Sequence, residues 1–324
     1  MGIVELRLSM LATLTIIIGL STVVLTGIML YFGVFNIIAV GIIVVAINVA
    51  EWLFAPYLLG FVYKIRKISP TESPQLHQIV NNLSQKCHIK TPELMLAQVP
   101  VPNAFAYGSP LTGNRVAVTP GLLTALNTDE VEAVLGHELG HLRHKDVQVM
   151  MAVSALPSVF MFLAYSFMWS GNSSGGSRRS GGGNGNGAII GLGLLGFGYL
   201  LTFFTLWLSR VREYYADRNS VQVVDNGAWK LSTGLAKIVS ASRKPSKSRG
   251  QGQQQGASAF RCLFISDPGN SEQAAKSIDA SLMVQEILSR KITGKDNVAE
   301  ALSTHPNITK RLRALQQLSQ NPNA

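Results

Sequence analysis

Four long apolar runs divide the chain, at about residues 8–32, 34–59, 147–169 and 188–208. Each is long enough to cross the hydrocarbon core of a bilayer as a helix. No small-residue cleavage site of the A-x-A type follows the first run, so it reads as a retained anchor rather than a removed signal. Almost no loop separates the first two runs, which predicts a tight helical hairpin. Pro157 predicts a kink in the third, and Gly191, Gly193, Gly196 and Gly198 predict that the fourth approaches a neighbouring helix closely. Arg7, Lys64, Arg66 and Lys67 place both ends of the first hairpin in the cytoplasm. The second pair of crossings returns the chain to that side. Arg178 and Arg179 in the outer loop oppose this orientation but are outnumbered.

Between the apolar runs the pattern changes period. Ser73 as N-cap and Pro74 at the first helical position open a helix with the stripe Leu76, Ile79, Val80 and Leu83. Residues 93–118 break into short β-prone pieces at 94–96, 103–107 and 115–118, divided by prolines 92, 100, 102 and 110 and by the Thr112-Gly113-Asn114 turn, which predicts a small sheet. A helix follows from about 129 to 146: Asn127 or Thr128 caps it, Asp129, Glu130 and Glu132 charge its first turn, and Val131, Val134, Leu135, Leu139 and Leu142 recur at helical spacing. Residues 171–187 are low-complexity Gly, Ser and Asn, and 243–258 form a basic, Gln-rich linker; neither can bury a core. Helices are expected around 229–239 and from 271 to 318.

The fold class predicted is therefore α+β: a mainly helical membrane protein with four transmembrane helices and a cytoplasmic domain carrying a small β-sheet. Its parts are a transmembrane hairpin (1–67), the first part of the soluble domain (68–146), a second transmembrane pair (147–208) and the remainder of the soluble domain (209–324). Composition agrees, with 47% hydrophobic and only 14% charged residues, against roughly a quarter charged in ordinary soluble domains. A net charge of +10 suits nucleic acid or an anionic membrane, and the apolar runs decide for the lipid bilayer and against nucleic acid. The two cysteines, Cys87 and Cys262, offer no disulfide framework and no thiolate metal site.

The chemistry is concentrated in His137-Glu138-Leu139-Gly140-His141. Positions four apart share a helix face, so two imidazoles can reach one ion while Glu138 sits beside them as a general base, the H-E-x-x-H pattern of zinc peptidases. A catalytic zinc takes three protein ligands and keeps one open position. Glu213, after the fourth run, offers the third, and Asp217, one turn on, can accept a hydrogen bond from a ligand histidine. At 1.5 Å per residue His141 lies about 9 Å from the third run and Glu213 about 7 Å beyond the fourth, which puts the ion about a nanometre from the membrane. His77 and His88 have no metal-like spacing and read as surface residues. Asn103, Ala104, Phe105 and Ala106 form a candidate edge strand for holding an extended substrate, or equally an ordinary strand. His305, fixed in an extended or turn conformation by Pro306, is either an oxyanion donor, an occupant of the open zinc position at rest, or a plain loop residue.

Taken together, His137-Glu138-Leu139-Gly140-His141, Glu213-Tyr214-Tyr215-Ala216-Asp217, Thr304-His305-Pro306 with Arg311, and Pro102-Asn103-Ala104-Phe105-Ala106 resemble the HtpX family of membrane metalloproteases, in the same order and over nearly the whole chain. The resemblance implies a zinc endopeptidase with one Zn2+ per chain in a zincin-type domain. It also implies a multi-pass protein of the inner membrane, with active site and both termini cytoplasmic, acting in quality control on polypeptide substrates that include membrane proteins. His305 and Arg311 then join the active site, and residues 103–106 become the substrate-pairing strand. Two rivals remain: a CAAX prenyl-type protease, which shares the zinc motif but carries more spans, and a non-catalytic zinc-binding scaffold, which has no need of Glu138.

Overall fold

The computed structural model describes residues 37–170, 186–243 and 280–320. The first apolar run, nearly all of loop 171–187 and all but the first residue of linker 243–258 lie outside them. In chain order the elements are α1 (Ile37–Val62), β1 (Arg66–Lys67), α2 (Pro74–Lys86), β2 (Glu93–Leu96), β3 (Ala104–Ser109), β4 (Gly113–Val118), α3 (Pro120–Ala125), α4 (Thr128–Arg143), α5 (Asp146–Ser170), α6 (Asn186–Val223), α7 (Gly227–Arg243), α8 (Ala280–Ser289), α9 (Gly294–Ala301) and α10 (Ile308–Gln320). The chain separates into two compact units, one from Met1–Trp52 with Gln148–Leu208, the other from Leu53–Val147 with Ser209–Ala324.

The first unit is apolar helix. Among the described residues two helices, α1 and α6, are long and apolar enough to cross a membrane, while α5 contributes the shorter apolar segment Leu156–Met168. α5 continues through Pro157 as one helix. The glycines of α6 divide by role. A Cβ at Gly191 would stand 2.5 Å from Met168 Cγ and 2.9 Å from the Ala164 carbonyl, whereas Gly193 and Gly196 face nothing within 4 Å. Only part of the glycine run serves close helix contact.

The second unit is built on a four-stranded sheet in the order β1-β2-β4-β3. β2 and β4 are parallel; β1 and β3 each pair antiparallel, with β2 and β4 respectively. Alternation along the strands gives the sheet two apolar faces. Phe105, Tyr107, Met95, Ala97 and Ala117 pack on Leu59 and Tyr63 from the end of α1. Ala104, Val116, Val118 and Leu94 join the main core with Val80 and Leu83 of α2, Val134, Leu135 and Leu139 of α4, Leu231 and Leu235 of α7, and Leu312 and Leu315 of α10.

Three boundaries differ from the sequence pattern. β1 falls inside the basic cluster after the second apolar run, and its side chains pair locally, Arg66 with Glu72 and Lys67 with Glu93. β3 starts at Ala104 and runs on to Ser109, because its pairing with β4 reaches the turn where Gly113 has φ +70°. α4 stops at Arg143 rather than near 146: Lys145 takes φ +55°, a left-handed conformation that breaks the helix, and α5 begins afresh at Asp146. α2 begins at Pro74, with Ser73 at the N-cap position, although the Ser73 hydroxyl caps nothing.

Candidate metal centre

The site is held by α4 and the C-terminal part of α6. α4 is fixed at its start by a capping box, the Asn127 side chain accepting from Glu130 N–H while Glu130 accepts from Asn127 N–H. Two glycines then let α6 come close. A Cβ on Gly140 would lie 3.0 Å from Ala216 Cα and from Asn219 Cβ, and one on Gly136 would lie 3.0 Å from Val224. The register is locked by buried polar contacts: Asn219 Nδ2 donates to the Gly136 carbonyl at 2.8 Å and Ser220 Oγ to the Ala133 carbonyl at 2.7 Å. Each glycine immediately precedes, or lies one residue before, a histidine of the motif, so close helix approach and ligand placement are one arrangement.

There His137, His141 and Glu213 converge, with one donor atom from each within 4.8 Å of the others. His137 Nε2 is 3.6 Å from Glu213 Oε2 and His141 Nε2 is 3.5 Å from Glu213 Oε1. Ligand atoms about 2.0–2.1 Å from a tetrahedral zinc stand roughly 3.4 Å apart, so the donor set fits zinc in both chemistry and spacing. The other ring nitrogens face carboxylates: His137 Nδ1 is 2.9 Å from Asp217 Oδ1, and His141 Nδ1 is 2.6 Å from Asp146 Oδ2. Such partners fix ring orientation and leave both Nε2 atoms for a metal.

A buried charge network surrounds these groups. Arg311, 1% exposed, places Nη2 2.5 Å and Nε 2.9 Å from the Asp217 carboxylate, and Nη1 3.1 Å from Glu213 Oε2. Burial alone would raise the Glu213 carboxyl, but the charges of His305 and Arg311 hold it well below its ordinary range. Asp217 is likewise opposed by burial and held low by Arg311 and His137. Burial pushes the His141 imidazole down, yet hydrogen bonds with Asp146 and Glu213 hold it up at about 10. Glu138 goes the other way: burial raises its carboxyl, against the pull of the two histidines.

Glu138 touches the sheet. The Ala106 N–H donates to its Oε2 at 2.8 Å. Since β3 lies at the sheet edge and β-strand backbone alternates, the Ala104, Ala106 and Gly108 backbone groups face away from β4, where Ala104 and Gly108 are buried and Ala106 is partly exposed, while Phe105 and Tyr107 face β4. Phe105 thus serves the core with its ring and the ladder with its backbone. Asn103 precedes the strand, and its N–H and carbonyl are both engaged by Thr119. Of the four residues expected in a substrate strand, Asn103, Ala104 and Phe105 are buried, and Ala106 is partly exposed with its N–H taken by Glu138.

His305 occupies the turn between α9 and α10, buried, with Nδ1 3.2 Å from Glu213 Oε2. Its loop is tied to α6 by Arg210, whose Nη1 donates to the carbonyls of Glu300, Ala301 and Ser303 at 2.9, 3.1 and 2.9 Å. Ser303 Oγ in turn accepts from the His305 N–H at 3.2 Å. Sequence reasoning missed Arg210, and also Asp146 and Arg212, whose Nε lies 2.9 Å from Asp146 Oδ1. The spacing of Asp146 five residues after His141 was visible, but on a continuous helix it points elsewhere; only the break at Lys145 turns it back. His77 and His88 stay apart from the centre: His77 contacts the Ile68 carbonyl through Nε2 at 3.0 Å, and His88 is exposed.

Residues 70–319 match the family model of Peptidase family M48. The chain is 36% identical to a "Protease HtpX homolog" of Thermoplasma acidophilum, over 97% of this chain and 98% of that one. It is 34% identical to "Protease HtpX homolog 2" of Sulfurisphaera tokodaii over 98% of both, and 39% identical to the Picrophilus torridus "Protease HtpX homolog" over 79% of this chain and 82% of that one. In three dimensions it is similar to the crystal structure of S. mikatae Ste24p, with a TM-score of 0.57 at 17% identity, covering 96% of this chain and 67% of that one.

Proposed function

The chain belongs to peptidase family M48, among the HtpX-type zinc metalloproteases, and from that membership we propose an endopeptidase that cleaves membrane or misfolded polypeptides at the cytoplasmic face of the inner membrane. In this reading four helices span the bilayer, both termini are cytoplasmic and one zinc ion is held per chain by His137, His141 and Glu213. The observation that carries it is the convergence of those three donors beside the buried carboxylate of Glu138.

Bound there, zinc supplies Lewis acidity, polarising the scissile carbonyl and acidifying a water. The rest is the work of the chain. Glu138, held above the ordinary carboxylate range by burial, takes the proton of the attacking water and gives it to the leaving amine. Asp217 and Asp146 orient His137 and His141, and Arg311 keeps Asp217 and Glu213 ionised. His305, outside the three-donor set, donates to the oxyanion in this reading, supported by its burial beside Glu213. The substrate backbone pairs with the outer side of β3 about Ala106, where the Ala106 N–H exchanges its bond to Glu138 for one to the substrate, an interaction indifferent to side chains and so suited to varied clients.

Zinc content and casein hydrolysis of the detergent-purified protein, measured beside Glu138→Gln, test the assignment. Both forms should hold one zinc, and hydrolysis should fall by about 10²–10⁴ in the variant. Equal hydrolysis by the two forms removes Glu138 from the mechanism, and a folded protein without zinc overturns the site.

A further inference from the structure

The end of α1 and the β3–β4 turn form a surface that the hydrolytic site does not use. Leu59 and Tyr63 of α1 are buried on the sheet. Higher on the same helix the Ser109 hydroxyl, at the tip of β3, donates to the Leu53 carbonyl at 3.1 Å. The hairpin therefore lies alongside the last ten residues of α1, with its tip level with Leu53. Beyond that contact Leu111 projects from the turn, 57% exposed, and Phe54 and Tyr57 of α1 are 59% and 55% exposed.

The position of Leu53 sets where the bilayer can end. Val62 lies nine residues past Leu53, about 14 Å along the helix axis. If hydrocarbon extended to Val62, the hairpin tip with its exposed Gly113 and Asn114 would lie in lipid, where lipid-facing irregular backbone does not occur. The apolar run that begins at residue 34 supplies 20 residues up to Leu53, which is the length a spanning helix needs. Glu51 and Trp52 directly precede Leu53, and an acidic group and an indole suit the boundary. Phe54 and Tyr57 then fall in the headgroup layer, about 2 and 6 Å beyond it.

We infer that the β3–β4 turn rests in the lipid interface, with Leu111 inserted at the hydrocarbon boundary beside Leu53, and that the last turns of α1 stand outside the hydrocarbon as a stalk for the sheet. The occupant of this surface is the bilayer itself, because Phe54 and Tyr57 belong to the stretch Val45–Val62 that is apolar enough to enter it, and the hairpin contact at Leu53 limits how far that stretch is submerged. The inference rests on α1 as a span and on β3 as the substrate edge. It deepens that reading in one respect. The outer side of β3 then runs from Gly108 near the membrane to the partly exposed Ala106 at Glu138, about 7 Å, so a polypeptide leaving the lipid reaches Ala106 within a few residues.

The test uses full-length protein in phosphatidylcholine–phosphatidylglycerol nanodiscs. An NBD label is placed by Leu111→Cys, Ile47→Cys or Val298→Cys in a Cys262→Ser background, with Cys87 buried and left in place. Emission is quenched with lipids doxyl-labelled near the headgroup or deep in the chain, and with aqueous iodide. The Leu111 label should be quenched by the shallow doxyl and shielded from iodide, the Ile47 label quenched by the deep doxyl, and the Val298 label open to iodide. An iodide-accessible Leu111 label with a lipid-quenched Ile47 label overturns the inference and keeps α1 as a span. If neither label meets lipid, the spanning reading fails as well. Leu111→Asp should lower cleavage of a bilayer-anchored reporter severalfold and leave casein hydrolysis in detergent unchanged; an equal loss of both counts against membrane docking.

Discussion

His141 joins two carboxylates, Asp146 through Nδ1 and Glu213 through Nε2, and its charge adds to that of Arg311 in holding the centre together. Burial lowers its imidazole but the two carboxylates prevail, holding it at about 10. A raised histidine contributes stability that is fully present below its unfolded value of about 6.5 and lost as pH rises through the folded one. Chelator-treated protein should therefore lose melting temperature between about pH 6.5 and 10, and Asp146→Asn should flatten that slope; a flat profile in the parent protein refutes the linkage. Metal uptake near neutrality must then release a proton. Arg311 faces Asp217 and Glu213 at 1% exposure, so Arg311→Met takes the guanidinium from two buried carboxylates and leaves them only their histidine partners. It should cost about 3–5 kcal/mol, seen as a lower chemical-denaturation midpoint; a loss under about 1 kcal/mol shows that the network relaxes. The spacing of His137, Glu138, His141, Glu213 and Asp217 was legible because residues on one helical face need only a count. Asp146, Arg210 and Arg212 were not, since each acts across a break or between distant segments.

The elements that set this geometry are α4 and α6, and their separation is fixed by what is missing from their contact. Gly140→Ala puts a methyl 3.0 Å from Ala216 Cα and Asn219 Cβ, where backbone must move. We expect a loss of about 1–3 kcal/mol together with lowered zinc occupancy, read by thermal melting and elemental analysis. Unchanged zinc at lower stability would mean that the ligands tolerate the shift. Gly140 is visible in the sequence only as part of the H-E-x-x-H motif, and its contact with Ala216 needed the fold. Elements with strong periodicity, such as α2 and the apolar helices, were readable. β1 was not, because two basic residues after an apolar run look like a membrane flank, and their strand character comes only from pairing with Met95 and Leu96. The stop of α4 at Arg143 was hidden for the same kind of reason: Lys145 carries no local signal for its positive φ.

At the scale of the molecule, α6 runs unbroken from Asn186 to Val223, so one helix holds both an apolar segment and the third zinc donor. The two compact units divide within it, at Leu208. Glu213 and Asp217 are held from their own side of that division, by α4, Arg311 and His305. One alanine inserted between Trp207 and Leu208 turns everything upstream by about 100° and shifts it about 1.5 Å along the axis relative to Glu213. Zinc content and casein hydrolysis in detergent should survive, because every contact of the metal centre lies downstream of the insertion or in α4, the start of α5 and the C-terminal helices. Cleavage of a bilayer-anchored reporter should fall, because the angle between the membrane helix and the site has changed. An insertion of four alanines, about 40° over one full turn, should restore part of that cleavage. Loss of zinc with the single insertion would show instead that the apolar unit is needed to assemble the metal centre.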